Sequence, residues 1–141
     1  MSFKEWNAAV TIAVSVVVGI WVAIEAIGSP APSLAAMAGR LVGAIGVTIV
    51  LNIVLMIAMA ILVSMARREE FKDERADERD LAITARGMRN GYFIASIAGL
   101  ICLILLALGM SAELAIYTLF GGLLLAGVAD AASRLVYYRF G

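Results

Sequence analysis

The side chains able to do acid–base or ion-binding chemistry crowd into one stretch of this sequence. From Arg67 to Arg89 the order RREEFKDERADERDLAITARGMR holds seven of the eleven Lys and Arg and seven of the eleven Asp and Glu. Within it Asp73-Glu74-Arg75-Ala76 is followed by Asp77-Glu78-Arg79-Asp80, a repeat with a period of four. On a helix that period stacks like charges at i,i+4, giving acidic rows Glu69-Asp73-Asp77 and Glu70-Glu74-Glu78 beside Arg68-Lys72 and Arg75-Arg79. Such rows oppose an isolated helix, whereas Arg67-Glu70, Glu69-Lys72 and Arg75-Glu78 at i,i+3 favour it. Three uses are open. The stretch is a solvated helical extension and turn, with Asp80 capping a helix that begins at Leu81. Alternatively its like-sign rows meet a complementary surface, with Asp73, Glu74, Asp77, Glu78, Arg79 and Asp80 as the partner-binding set. Divalent cation binding is the weakest use, because intervening Arg and Lys neutralise the carboxylates and no EF-hand spacing with its Gly is present.

Elsewhere the ingredients of catalysis are missing. There is no His, and Cys102 is the one cysteine, so a His-ligated zinc site, a haem site, a Cys/His nucleophile and an intrachain disulfide all drop out. Neither a Gly-rich phosphate loop nor a nucleophile elbow is found, and Cys102 lies in an apolar run where a thiol is inert packing. The expectation is a non-enzymatic protein with no cofactor and no metal. Zero net charge gives no bulk basicity for direct binding to nucleic acid.

The elements that must position these groups follow from hydropathy. With 63% hydrophobic residues, 16% charged and a mean hydropathy of +0.99, the chain is too apolar for a soluble globular domain. Uncharged runs extend over nineteen residues from Trp6 to Ile24, twenty-six from Leu41 to Ala66, twenty-two from Gly91 to Ala112 and sixteen from Leu114 to Ala129. A helix of roughly 20 apolar residues crosses ~30 Å of hydrocarbon, so three runs qualify directly and the fourth does so if it continues to about Arg134. The reading is a single all-α membrane domain, 1–141. It is a four-transmembrane-helix bundle with spans at 6–27, 41–65, 91–110 and 113–134 and a charged connection at 66–90. The apolar run behind Lys4 and Glu5 is longer than the ~7 to 15 residues of a signal-peptide h-region, so the first span is expected to remain in the mature protein.

Orientation follows from the basic residues. Ten of them flank the ends that hold the termini and the 66–90 connection, and Arg40 alone lies in the opposite turns. The positive-inside rule then puts both termini and the charged connection in the cytoplasm. Trp6, Tyr92, Phe93, Tyr137, Tyr138 and Phe140 collect at the same boundary. In the first outer turn, Pro30 and Pro32 break the helix and Ser33 is placed to cap the next.

Asn52, Asp130 and Arg134 are the intramembrane polar candidates. Asn52 sits at the middle of span two, where an isolated amide fixes helix packing by a hydrogen bond. Asp130 lies about seventeen residues, or ~25 Å, from Glu113, near the cytoplasmic edge of the hydrocarbon, with Arg134 one turn further on the same face. It is either a structural tie to Arg134, Arg86 or Arg89, or a functional carboxylate. Glu25 and Arg40 face each other across the outer turn as a surface pair. Small residues recur four apart on every span, including Gly39 and Gly43, and Gly91 and Gly99 with Ala95 between them, a spacing that lets helix backbones approach closely in lipid. These faces pack the bundle itself, or Gly39 and Gly43 form a homodimer face.

The stretch DERADERDLAITARGMRNGY and the ending YYRFG resemble a family of small bacterial four-helix integral membrane proteins of unknown function. These carry a DERD element before the third span, a Gly and an Arg shortly after it, and a basic-aromatic end. The matching positions are Asp77, Glu78, Arg79, Asp80, Gly87, Arg89, Tyr92, Tyr138, Arg139 and Gly141, within the last half of the chain. The resemblance implies the four-span topology, the bacterial cytoplasmic (inner) membrane and occurrence beside small helix-turn-helix regulators. It supplies no activity and no catalytic residue. The expected function is docking or regulation of a cytoplasmic partner by the charged segment. The alternative is a small homo-oligomeric transporter or channel using Asp130. Small multidrug exporters are similar in span number and length, but they use a carboxylate in the middle of the first span, and here only Glu25 near its outer end is available.

Overall fold

The computed structural model describes residues 3–67 and 77–140, which form α1 (Phe3–Gly28), α2 (Leu34–Arg67), α3 (Glu78–Ala107) and α4 (Ala112–Phe140). The chain is all-helical, with no strand among the described residues. All four helices are long and apolar enough to cross a membrane. At about 1.5 Å per residue, the 34 residues of α2 extend for about 51 Å, more than the ~30 Å of a hydrocarbon core that a membrane-crossing helix needs to cover.

Helix ends obey local chemistry. After the Pro30 and Pro32 turn, the Ser33 hydroxyl accepts the Ala36 N–H at 3.2 Å and starts α2. α3 starts one turn earlier than expected. Asp77, not Asp80, is its N-cap: the Asp77 carboxylate accepts the Asp80 N–H at 2.7 Å, and the Asp80 carboxylate accepts the Asp77 N–H at 3.2 Å. This reciprocal capping box satisfies two N–H groups that a cap at Asp80 alone would leave to water, which is why the earlier start wins. α3 ends in a Schellman turn, with the Met110 N–H on the Leu105 carbonyl and the Gly109 N–H on the Leu106 carbonyl, both at 3.0 Å. Gly109 takes the required left-handed conformation at φ 74°. Ser111 then caps α4 through the Leu114 N–H.

α4 is the common support. It packs along α3 most extensively and along α1, while α2 packs on α1 and touches α4 more lightly. α1 and α3 do not pack directly on one another. The α3–α4 contact is made close by small residues: Gly91 lies against the Ala126 carbonyl, and Gly122 lies directly over Ala98. Towards the α1–α2 turn, Val14, Val18 and Val22 at four-residue spacing on α1 meet Leu41 and Ala44 of α2 and Phe120 of α4 in the apolar core. α2 offers a single stripe, Met37, Leu41, Ala44, Thr48 and Asn52, to its neighbours. Gly39 and Gly43 lie off this stripe, exposed and with nothing among the described residues within 4 Å of where a Cβ would stand. Gly99 likewise has open space before it. Large apolar side chains lie exposed along all four helices, for example Ile27, Val42, Leu103 and Leu125, as a surface immersed in lipid requires.

Across the α1–α2 turn Arg40 donates to the Ser29 carbonyl at 2.6 Å and sits 3.6 Å from the Glu25 carboxylate. Both charged side chains are more than a third exposed, so Glu25→Gln lowers thermal stability in detergent by only about 0–1 kcal/mol. Arg40→Ala also removes the carbonyl's donor and should have the larger effect of the two in the same melting experiment.

Candidate functional site at the polar end of the bundle

The start of α1, the start of α3 and the end of α4 meet at the end of the bundle opposite the apolar core. Lys4 of α1 forms an ion pair with Asp80 of α3, and Arg139 of α4 lies 3.6 Å from Glu5 of α1. The Arg86 guanidinium stands 5.7 Å from the Tyr137 ring centre, a cation–π contact between α3 and α4. One turn deeper Asn90 donates to the Ser133 hydroxyl at 2.9 Å.

Asp130 and Arg134 form a bidentate pair on α4. The Arg134 Nε donates to Asp130 Oδ1 at 2.8 Å and Nη2 donates to Oδ2 at 2.7 Å. Planar fork matches planar carboxylate, and both side chains keep a little over a quarter of their surface exposed. This pair rests on Gly87 of α3, where a Cβ would stand 2.5 Å from Asp130 Oδ1 and 2.8 Å from Arg134 Cγ. Gly87 is therefore the residue that lets α3 approach α4 at the level of an ion pair. Of the partners open to Asp130 from spacing alone, the structure selects Arg134.

Because α1 and α3 lean on α4 without packing on each other, a trough remains between them. It forms a cavity of about 200 Å³ lined by Lys4, Asn7, Ala8 and Thr11 of α1, by Asp80, Leu81 and Thr84 of α3, and by Asp130, Ala131, Arg134 and Tyr138 of α4. Buried Ala8 and Ala131 leave the width for it. The Lys4–Asp80 pair bridges it from α1 to α3. Thr11 also donates to Asn52 Oδ1 at 3.2 Å, while Asn52 donates to the Thr48 carbonyl at 2.9 Å, so the mid-span amide ties α2 to one wall of the cavity.

The sequence-derived site residues thus separate into groups. Asp130, Arg134 and Asp80 line one cavity, and Asn52 braces it through Thr11. Asp77 caps α3, and Glu78 and Arg79 are exposed on its first turn. Asp73 and Glu74, with the charge rows upstream of them, lie outside the described residues. Gly91 packs against α4, whereas Gly39, Gly43 and Gly99 have nothing among the described residues within 4 Å of where a Cβ would stand. Sequence reasoning missed Lys4, Asn7, Thr11, Thr84 and Tyr138. A signal for them was available: Lys4-Asn7-Thr11, Asp80-Thr84 and Asp130-Arg134-Tyr138 are polar stripes at helical spacing, one on each of three helices.

Comparison of the chain with protein-family models, with curated proteins and with solved structures finds no match. The chemistry of the site therefore rests on its own groups. Among the described residues no three His, Cys, Asp or Glu side chains gather as metal ligands, and buried Cys102 is not among the cavity residues. What the walls offer is two cations, two carboxylates and neutral donors and acceptors, a set for holding a polar group by charge and hydrogen bonds.

Proposed function

We propose that this chain is a non-enzymatic integral membrane protein of the bacterial cytoplasmic membrane, both termini inside, whose charged cytoplasmic segment docks or regulates a cytoplasmic partner. A small transcriptional regulator is the partner class that fits the resemblance of its DERD element. One observation carries the reading: Asp80 both closes the α3 capping box and pairs with Lys4 of α1. The downstream boundary of the charged segment is thereby held by two helices that do not otherwise pack on each other, so a change in their separation is transmitted to the segment. Lys4, Arg79, Arg86, Arg89, Arg134 and Arg139 belong to this end of the bundle, which supports its assignment to the cytoplasm.

Asp77 and Asp80 carry structural duties, so the test must avoid breaking them. Reversing Glu78 and Arg79 together, with Asp77→Ser to keep a capping oxygen, should reduce recovery of a candidate regulator several-fold while leaving the melting temperature within a few degrees. Equal recovery from native membranes would count against docking by this segment.

The second reading, a small homo-oligomeric transporter or channel using Asp130, is favoured by the position of Asp130 and Arg134 on the cavity wall. Self-association would then employ the unoccupied Gly39 and Gly43 face of α2. Substrate-dependent flux in proteoliposomes that vanishes with Asp130→Asn would place this reading first.

A further inference from the structure

We propose that the cavity between α1 and α3 binds a small zwitterion, an ammonium and a phosphate or carboxylate carried on one molecule or on one lipid headgroup. Lys4 and Arg134 are balanced by Asp80 and Asp130, so the walls sum to zero. At the edge of a bilayer an added net charge would stand against poorly hydrated surroundings without a counter-ion, whereas an apolar occupant would take water from four charged groups without replacing it. A dipolar occupant of zero net charge avoids both penalties.

Hydrogen-bonding capacity points the same way. The Lys4 ammonium retains donors beyond the one engaged by Asp80, and the Arg134 guanidinium retains N–H groups beyond the two given to Asp130. Each Asp130 oxygen accepts one N–H from Arg134 and has a further lone pair. An anionic group can therefore sit against Lys4 and Arg134, and an ammonium against Asp130, with neither ion pair opened. Asn7 and Thr84 add neutral partners on opposite walls. The volume, about 200 Å³, is below the ~300–1,000 Å³ of sites that enclose drug-sized ligands, which confines the occupant to a headgroup or a small metabolite-sized zwitterion.

The test uses the full chain with glycerophosphoethanolamine, a phosphodiester of zero net charge near pH 7, as the probe. In one arm, titration calorimetry of the detergent-solubilised protein compares glycerophosphoethanolamine with ethanolamine alone and with dimethyl phosphate alone. In the other, nanodiscs of mixed phosphatidylethanolamine and phosphatidylglycerol are used, and the lipid retained after mild extraction is identified by native mass spectrometry. The zwitterion should bind at least about tenfold more tightly than either single ion, the worth of one charge-assisted hydrogen bond. Thr84→Leu, which removes a wall hydroxyl and narrows the cavity while leaving both ion pairs, should weaken binding of the zwitterion several-fold at unchanged helicity and melting temperature. Lys4→Gln should weaken the anionic contact. Binding of the free probe identifies a soluble zwitterion, and phosphatidylethanolamine enrichment without binding of the free probe identifies a lipid headgroup. The proposal is overturned if neither arm shows binding, if either single ion binds as tightly as the zwitterion, or if Thr84→Leu binds as the native chain does.

Discussion

Gly122→Ala lowers the stability of the bundle by about 1–3 kcal/mol, the expected range for forcing one extra methyl into a closely packed contact. The reason lies in what the methyl would meet. A Cβ at Gly122 falls on the Cβ of Ala98 and lies 3.4 Å from its Cα. Ala98 is buried and has no flexible side chain to swing away, so α3 and α4 must separate. That separation also loosens the Gly91–Ala126 approach further along the same contact. The compensating change is specific: Ala98→Gly in the same chain removes the obstructing methyl and should restore most of the melting temperature, less the roughly 1 kcal/mol that an extra helical Gly costs. Thermal melts of the two single variants and the double variant form the cycle. Additive losses in the double variant would show that the contact does not govern the α3–α4 spacing.

The second large effect is expected at Asp130. Removing one partner of a fully buried ion pair costs about 3–5 kcal/mol, because the remaining charge is left without compensation. Here both side chains keep a little over a quarter of their surface, so Asp130→Asn should lie lower, at about 1–2 kcal/mol, seen as reduced yield and an earlier melt. Arg134→Gln added to Asp130→Asn removes the orphaned charge and should recover much of the loss. Partner recovery per folded molecule should change less than yield, since Glu78 and Arg79 are on the exposed first turn of another helix. Normal yield with lost partner recovery would transfer Asp130 from a structural to a functional role.

Asp130 and Arg134 also mark how far the sequence could be read. Although the packing of Gly87 on the pair is tertiary, their i,i+4 spacing is a property of one helix and makes the bidentate pair available within it. The same holds for Ser33 as the cap of α2, for the Glu25 and Arg40 pair across a short turn, and for four apolar runs long enough to cross a membrane. At Asp77 and Asp80 the reading stopped one turn short. Two Asp residues three apart are both good caps, and only their reciprocal bonding chooses the first as the start of α3.

What only the tertiary structure decided is relational. Lys4 and Asp80 are separated by seventy-six positions, and no local rule pairs them. That α4 rather than α2 is the central helix, and that Gly91 finds a partner while Gly39 and Gly43 find none, follows from which stripes of small residues face each other in three dimensions. In lipid every helix carries apolar residues all round, so hydropathy announces a span but does not distinguish its packed face from its lipid face. The sequence by itself determined four membrane-length helices, the Ser33 cap of α2 and the concentration of charge in one segment. The structure decided that three polar stripes, each unremarkable on its own helix, converge on one cavity, because α1 and α3 rest on α4 and leave a gap between them.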